Sequence, residues 1–161
     1  MKNIPLTQGQ FALVDDEDFE WLSQWKWQAQ KARKTFYAKR DSWSGGIKTT
    51  VFMHRVIEGT SHSLDTDHRD GNGLNNQKSN LRSCTGQQNR CNRGVQKNNT
   101  SGYKGVSWKS SRGKWEVKIS SNRKEIFIGR FTDIVDAARA YDEAARKLHG
   151  EFANLNLPMP H

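Results

Sequence analysis

The segment that most constrains the fold of this chain is residues 65–93, which read DTDHRDGNGLNNQKSNLRSCTGQQNRCNR. Thr66-Asp67-His68 can form a short extended run. Asp-Gly-Asn-Gly at 70–73 supplies turn residues that tolerate positive φ and reverse the chain. Asn80-Leu81-Arg82 then indicates a short return strand. The segment therefore predicts a strand, a loop and a second strand.

A helix is predicted directly after the return strand. Thr85 and Gln88 have the spacing of a capping box, in which the first residue is the N-cap and the second reaches back to it. A helix that begins here carries Asn89. Neighbouring residues of a strand point to opposite faces, so one of Asp67 and His68 can hold a metal while the other meets a substrate.

The spacing of these residues resembles a known nuclease motif. Asp67-His68 is followed by eleven residues, Asn80, eight residues and Asn89. This order resembles the HNH motif in its His-Asn-Asn form, and DHRDGNGLNNQKSNLR is similar to the version in phage and intron-encoded, homing-type endonucleases. The resemblance implies that His68 is the general base, that Asp67 and Asn89 are metal ligands, and that Asn80 braces the loop. One departure is Gln77, where these enzymes often carry a basic residue.

The residue types suit phosphodiester hydrolysis, which requires an oriented water, a base and a cation that neutralises charge on the phosphate. His68, with an ordinary pKa of about 6.5, can accept a proton near neutral pH. A carboxylate and an amide oxygen suit Mg²⁺ or Mn²⁺. We expect one divalent ion per active site and no small-molecule cofactor. The competing interpretation is an Asn/Gly-rich surface loop whose polar residues only satisfy turns.

Composition indicates the partner and the number of modules. The chain has 26 Lys and Arg against 17 Asp and Glu, a net charge of +9 and a pI of about 9.8. This excess points to a polyanion, and we expect double-stranded DNA. The 161 residues, 34% of them hydrophobic, favour two small modules over one large core. No apolar run of transmembrane length is present, so we expect no membrane contact and a location in the cytoplasm of a bacterial or phage-infected cell. We also expect a monomer.

The region before the motif predicts a small supporting structure. Acidic residues 15–18 precede Phe19, Trp21, Leu22 and Trp25 and predict a short helix. Short strands are expected near Trp27, residues 36–37 and residues 51–52, with a turn at 44–46. Met53-His54-Arg55 opens a helical turn that ends near Gly59. A similar Met-His-Arg precedes the motif in the endonucleases that this sequence resembles, so Arg55 is our candidate for a phosphate contact, and His54 is expected to be a satisfied structural histidine.

A second module is predicted after a polar linker at 94–100, so that the nuclease module spans residues 1–93 and the second module residues 101–158. Lys114–Ser120 alternates apolar and polar residues, and Ile126 and Ile128 repeat this alternation. A helix at 132–149 places an apolar stripe on one face, with Thr132 as N-cap and Gly150 as its stop; the stripe is Ile134, Ala137, Ala138, Tyr141, Ala144, Ala145 and Leu148. We expect a three-stranded sheet packed on this helix. Cys84 and Cys91 are expected to be free thiols.

This second module carries the densest positive charge. Residues 101–130 contain eight Lys and Arg against two Glu, so the sheet is the expected DNA face. Phe127 alternates with core-facing isoleucines and should stand on the basic face, where it can contact sugar or thymine methyl groups; the alternative is a rim residue of the core.

Several short motifs resemble the ethylene-response-factor (Apetala-type) DNA-binding domain: Tyr103-Lys104-Gly105-Val106, Gly113-Lys114-Trp115, Ile128-Gly129-Arg130-Phe131, Asp136–Asp142 and Leu155-Asn156. That family reads the major groove with its sheet. The matching contact positions are Lys104, Ser107, Lys109, Arg112, Lys118, Ser120, Glu125 and Phe127. Several arginines and tryptophans of the family are replaced here, so DNA binding is implied but its recognition sequence is not.

The expected fold class is α+β: a ββα-metal HNH module followed by a three-stranded antiparallel sheet packed on one helix. The expected function is that of a metal-dependent, homing-type DNA endonuclease, which nicks or cuts both strands and is positioned by its C-terminal module. The alternative is a non-catalytic DNA-binding regulator with a vestigial HNH fold.

Overall fold

The computed structural model describes residues 1–158. It is a mixed α and β structure with small antiparallel sheets and few helices, and it divides into two compact units, residues 1–89 and the residues from Arg90 onward. Residues 94–100, which we expect to be a linker, are grouped with the second unit. Within residues 1–158, no helix is long and apolar enough to cross a membrane.

Two small sheets and two helices precede the motif in the first unit. Strands β1 (Lys2–Pro5) and β2 (Phe11–Val14) form an antiparallel pair, followed by helix α1 (Asp16–Leu22). Strands β3 (Gln28–Lys31), β4 (Phe36–Ser44) and β5 (Ile47–Phe52) form an antiparallel sheet in that order, and helix α2 (Met53–Glu58) follows. The helix predicted from the acidic residues is confirmed, and so is the helical turn that ends at Gly59, which caps α2 with φ 66°.

The core of the first unit lies between these elements. Its buried residues are Ile4, Ala12, Val14, Leu22, Trp27, Ala38 and Met53. Trp27 is buried and donates its indole N–H to the Leu22 carbonyl oxygen at 2.8 Å. Burial of the indole therefore leaves no unsatisfied donor, as an amphipathic ring in a core requires.

The motif itself folds as two strands and a helix. Strand β6 (Asp65–His68) pairs antiparallel with β7 (Leu81–Cys84), and helix α3 (Gly86–Cys91) follows. The Thr85 N–H donates to Gln88 Oε1 at 2.8 Å, and the Gln88 N–H donates to Thr85 Oγ1 at 3.3 Å, which confirms the capping box. We expected Asn80 to belong to the return strand. It instead ends a 3-10 turn at Lys78–Asn80, because its side chain forms hydrogen bonds across the loop.

The loop between β6 and β7 docks on the N-terminal hairpin. The Leu13 N–H donates to the Leu74 carbonyl at 2.8 Å, and the Asn76 N–H donates to the Leu13 carbonyl at 2.8 Å. Leu13 and Asn75 thereby form a parallel bridge. Asp15 Oδ2 accepts from the Lys78 N–H at 2.9 Å. Residues far apart in sequence therefore fix the backbone of the loop.

The second unit is a three-stranded antiparallel sheet with one long helix. Strands β8 (Val106–Lys109), β9 (Lys114–Ser121) and β10 (Lys124–Phe131) are ordered β10-β9-β8, and helix α4 (Ile134–His149) packs on them. The core is formed by Val106, Val117, Ile119, Ala137, Tyr141 and Ala145. This arrangement confirms the expected sheet on one helix.

Three details of this unit differ from expectation. The N-cap of α4 is Asp133, not Thr132, because the Asp133 carboxylate accepts from the Val135 and Asp136 N–H groups at 2.8 and 2.9 Å. Leu148 is 43% exposed and lies outside the apolar stripe. A register shift between Phe127 and Gly129 interrupts the alternation of β10, so Ile128 packs on the core whereas Ile126 is 37% exposed. Gly150 caps α4 as expected.

Candidate functional site

The site is built around His68, the last residue of β6. Its side chain is buried, and its Nε2 lies 3.3 Å from Asn76 Oδ1. The rings of Tyr37 and His54 pack against it with centroid distances of 5.8 and 5.1 Å. Burial lowers the pKa of His68 below its ordinary value, although Asn76 and the nearby Asp70 and Asp67 oppose the shift. A lowered pKa favours the neutral imidazole, the state in which the ring can accept a proton.

Asp67 is engaged in a buried ion pair. The Arg82 Nε and Nη2 groups donate to Asp67 Oδ2 at 2.9 and 2.7 Å. The two residues lie opposite each other in the β6–β7 register, and both are buried. One oxygen of the expected metal ligand is thus held by a guanidinium.

Asn89 lies beside a second carboxylate. Its Nδ2 donates to Asp65 Oδ2 at 3.3 Å. Asp65 and Asp67 are two residues apart in β6, and alternate residues of a strand face the same side. In this structure Asn89 of the helix contacts Asp65, and Arg82 of the neighbouring strand contacts Asp67.

Asn80 joins the two sides of the loop. Its Oδ1 accepts from the Asp70 N–H at 3.1 Å, and its Nδ2 donates to Asp70 Oδ1 and the Asn75 carbonyl at 2.9 and 2.8 Å. These are contacts that a bracing residue makes, and they leave the buried amide satisfied.

The oxygen donors of Asp65, Asp67 and Asn89 have the chemistry that a hard cation prefers. Among residues 1–158, no three His, Cys, Asp or Glu side chains converge as a metal-binding group. A cation held here would have carboxylate and amide ligands completed by water, which is the usual state of protein-bound Mg²⁺. It would share Asp67 with Arg82.

His54 is not the satisfied structural histidine that we expect from the sequence. It is buried in the first turn of α2, and its Nδ1 has no hydrogen-bond partner within residues 1–158. Its ring stacks on Phe52 and contacts His68 edge to face. Burial, with the nearby His68 and Arg55, lowers the pKa of His54 to about 3. His54, Asp65, Thr66 and Asn89 share the lining of a cavity of about 380 Å³.

Arg55, our candidate for a phosphate contact, binds main-chain carbonyls. Its Nη1 donates to the Leu64 carbonyl at 3.0 Å and its Nη2 to the Ser61 carbonyl at 2.9 Å. These contacts hold the segment that leads into β6. A phosphate contact by Arg55 stays a prediction.

The second unit presents a basic sheet surface with one acidic residue in it. Glu116 on β9 is buried among cations, with Lys109 and Lys118 at 3.7 Å and Arg130 at 3.1 Å. Phe127 lies opposite Lys118 in the register, is half exposed, and has the Arg130 guanidinium 5.0 Å from its ring centre. Phe127 therefore stands on the basic face, as predicted.

Two further predicted contact residues differ in exposure. Arg112 ends a 3-10 turn between β8 and β9 and is exposed. Lys104 is half-buried, its Nζ donates to the Cys91 carbonyl at 2.6 Å, and burial lowers its pKa to about 8. The ammonium of Lys104 is thus engaged by a main-chain carbonyl, whereas the Arg112 side chain is exposed to solvent and can contact a ligand. Cys84 and Cys91 are free thiols, as expected.

Sequence reasoning missed Asp65, Asn76 and Arg82. Asp65 could have been found from its two-residue spacing to Asp67. Arg82 could have been found by counting the hairpin register, which places a cation opposite Asp67. Asn76 carries no such signal, because its contact with His68 depends on how the loop docks.

Comparison with known proteins identifies both units. The AP2 domain family model matches residues 101–151. The uncharacterized HNH endonuclease L560 of Acanthamoeba polyphaga mimivirus is 33% identical over 151 residues, which cover 92% of this chain and 76% of that protein. Protein 3.8 of Escherichia phage T7 is 37% identical over 89 residues, or 55% of this chain and 73% of that protein.

Plant proteins match a shorter stretch. The dehydration-responsive element-binding protein 2E of Oryza sativa subsp. japonica is 45% identical over 58 residues, which are 35% of this chain and only 18% of that protein. From the extent of the viral match and the domain match together, the chain belongs to the HNH endonuclease family and carries an AP2 domain in residues 101–151.

Proposed function

We propose that this protein is a metal-dependent endonuclease that hydrolyses phosphodiester bonds of double-stranded DNA and is positioned by its AP2 domain. The observation that carries the proposal is the buried His68 at the end of β6, with Asp65 and Asp67 on the same strand and Asn89 on helix α3. A neutral imidazole beside hard oxygen ligands is the combination that metal-assisted hydrolysis uses.

In this mechanism His68 accepts a proton from the attacking water, and the surrounding Tyr37 and His54 rings fix its plane. Asp67 and Asn89 would hold the divalent ion, Mg²⁺ or Mn²⁺, with Asp65 next to Asn89. The ion, when bound, neutralises charge on the phosphate and the leaving oxygen. Asn80 keeps the loop closed around the base.

DNA affinity is assigned to the basic sheet of the AP2 domain. Lys109, Arg112 and Lys118 are cationic groups at its surface, and Phe127 offers an exposed ring among them. Phosphate neutralisation by such groups supplies much of the binding free energy and makes it depend on salt.

The first test is the variant His68→Ala, assayed on supercoiled plasmid with Mg²⁺ or Mn²⁺. Loss of a positioned base should reduce cleavage by about 10²–10⁴-fold, while DNA affinity stays within a few-fold, because the base acts on water and adds little to ground-state binding. Cleavage by His68→Ala at the wild-type rate would show that the base is another residue.

The metal is tested by chelation and by Asn89→Ala. We expect cleavage to stop in excess chelator, and Asn89→Ala to require more added metal than the wild type. Asn89→Ala is a cleaner probe than Asp67→Ala, because the latter also leaves Arg82 buried without its carboxylate. Undiminished cleavage in chelator would contradict the metal role.

A second candidate function is a DNA-binding regulator whose HNH module does not cut. The observation that favours it is the Asp67–Arg82 ion pair, which occupies one oxygen of the expected metal ligand. The nicking assay separates the two: a regulator binds DNA with the same salt dependence but leaves the plasmid intact at every metal concentration.

The homing type is a further part of the proposal. A homing endonuclease cuts near its own gene or in an allele that lacks the insertion. Mapping of cleavage products on DNA that flanks the encoding gene would locate such a site, and would also show whether one strand or both are cut. Random cleavage across that DNA would argue against homing.

A further inference from the structure

Glu116 and Arg130 form an ion pair on the face of the AP2 sheet that points away from α4. They are direct partners in the β9–β10 register, so their side chains lie on the same face. Val117, the neighbour of Glu116 in β9, is buried in the core with α4, and neighbouring residues of a strand point to opposite faces. The pair therefore belongs to the basic face, and neither residue is among the contact positions that the resemblance to the ethylene-response-factor domain implies.

The neighbours of Arg130 orient its guanidinium. Arg130 Nε and Nη2 donate to Glu116 Oε2 at 3.2 and 3.1 Å. The Glu116 side chain is 7% exposed, whereas that of Arg130 is 41% exposed. The centre of the Phe127 ring lies 5.0 Å from the guanidinium carbon. A buried carboxylate and an aromatic ring thus hold a guanidinium that still reaches solvent.

The contact with Glu116 uses one edge of the guanidinium and leaves another. The group is planar, and its five N–H donors have a fixed fork geometry. Glu116 accepts from the edge formed by Nε and Nη2. The end formed by Nη1 and Nη2 keeps one outward N–H on each nitrogen. This end can therefore offer two parallel donors to one ligand.

Guanine is the base whose edge matches two parallel donors. In the major groove it presents two adjacent acceptors, O6 and N7, whereas adenine presents an acceptor beside a donor, thymine an acceptor beside a methyl group, and cytosine a donor. A phosphate also has acceptors, but it is an anion. Because the Glu116 carboxylate oxygen is 3.1 Å from Arg130 Nη2, it would repel a phosphate docked on this guanidinium, and it would not repel a neutral base edge.

We propose that Arg130 reads a guanine in the major groove and that Glu116 is the positioning residue that orients it. The inference rests on the part of the proposed function that assigns DNA binding to this sheet, and it does not depend on cleavage. A side chain that is oriented before binding loses less conformational entropy when it docks. Glu116 also places a negative charge among Lys109, Lys118 and Arg130, which lowers the attraction of this face for the phosphate backbone.

The first experiment is the selection of binding sites by the full-length protein from random duplex DNA, in excess chelator so that metal-dependent cleavage does not consume the duplex. It is repeated with Arg130→Met and with the control Arg139→Met. Arg139 pairs with Asp136 at 2.8 Å, but this pair lies on α4. We expect the preference for one guanine to fall by about 5- to 150-fold in Arg130→Met, the value of one bidentate base contact, and to stay unchanged in Arg139→Met.

The second experiment changes the DNA instead of the protein. Each guanine of the wild-type site is replaced in turn by 7-deazaguanine, which pairs normally but lacks the N7 acceptor. Wild-type affinity should fall at the guanine for which Arg130→Met has lost its preference, and Arg130→Met should show no further loss there. If no replacement weakens binding by the wild type, the reading of guanine is overturned, and this result does not depend on the folding of any variant.

The variant Glu116→Gln tests the positioning role with two measurements that should move in opposite directions. Glutamine has the same shape but no charge, so it holds the guanidinium less firmly, and the preference for the same guanine should fall. Affinity for a duplex without the site should rise by up to about 5-fold, the range of an exposed charge interaction. The control Asp136→Asn makes the same change in net charge on α4 and should leave the preference unchanged. A residue that only stabilised the sheet would not produce this combination.

The outcomes separate this inference from the proposed function. If Arg130→Met keeps every base preference of the wild type, Arg130 does not read a base. If Glu116→Gln keeps the full preference, Glu116 does not position Arg130. If Glu116→Gln does not fold, Glu116→Asp decides, because it keeps the charge but withdraws the carboxylate by one methylene, and an unchanged preference would then overturn the role of Glu116.

Two results concern the wild type alone. A wild type that cuts plasmid but prefers no guanine overturns this inference and leaves the proposed function intact. A wild type that selects a guanine through Arg130 but cuts no DNA at any metal concentration has the opposite meaning. If the wild type binds no DNA, both proposals are wrong.

Discussion

Removal of Arg82 should destabilise the first unit far more than loss of an ordinary surface charge. The guanidinium makes two hydrogen bonds of 2.9 and 2.7 Å to Asp67 Oδ2, and the side chains are only 7% and 6% exposed. Arg82→Met retains the aliphatic length but leaves a carboxylate buried without its cation. Breaking a buried pair in this way costs about 3–5 kcal/mol. That is a large share of the about 5–15 kcal/mol by which a domain is stable.

The assay is urea unfolding of the full chain followed by tryptophan fluorescence, since Trp21, Trp25, Trp27 and Trp43 all lie in residues 1–89. The matched control is Lys48→Met. Lys48 pairs with Asp41 at 2.9 Å, a similar distance in the same unit, but it is 53% exposed. We expect the control to leave the urea midpoint nearly unchanged, because exposed pairs contribute little.

The double variant Asp67→Leu/Arg82→Met tests the reason. With both charges removed, neither member of the pair is left as a buried ion without its partner, so the double variant should be more stable than Arg82→Met alone. If Arg82→Met stays within about 1 kcal/mol of the wild type, the pair is not desolvated in solution and the reasoning is wrong.

Three further predictions concern other sites. Because the pKa of His54 is lowered to about 3, the unfolded chain binds one more proton than the folded chain between about pH 3 and 6.5. The free energy of unfolding should therefore fall as pH drops through that range, by up to about 1.4 kcal/mol per pH unit. Urea unfolding at pH 7 and pH 5 should show a smaller loss of stability for His54→Leu than for the wild type. Gly105→Ala would overlap an aromatic ring of α4 and should lower the melting temperature of the second unit more than Gly113→Ala, which has open space around it; equal shifts would contradict this. Lys109→Met should lower the log–log salt slope of DNA binding by up to about 0.9, whereas Lys104→Met should not, because the Lys104 ammonium is bound to a main-chain carbonyl.

Local patterns predicted the elements of the fold. Three of the predicted features depend only on residues close together in sequence, and the structure contains all of them. They are the capping box at Thr85 and Gln88, the acidic start of α1 and the alternation in β9. The N-cap of α4 was placed one residue too early, because Thr132 and Asp133 are both good caps and only the observed hydrogen bonds distinguish them.

The partners of the site residues could not be predicted, because they come from other parts of the chain. The spacing of His68, Asn80 and Asn89 identified the motif, but the contact of His68 with Asn76 requires the loop to dock on Leu13. The alternation of apolar and polar residues also predicted the wrong environment for part of β10, since the register shift after Phe127 depends on pairing with β9.

The docking of the β6–β7 loop on the N-terminal hairpin has a consequence for how the first unit folds. Asp15 reaches Gln77 and Lys78 across 62 and 63 residues of sequence, and these contacts secure the loop that holds Asn76. Closing so long a chain segment is slow and entropically costly, and it yields no reward until both ends meet. A nascent or partly folded chain would thus contain the complete HNH sequence before the contacts that hold the loop beside His68 have formed.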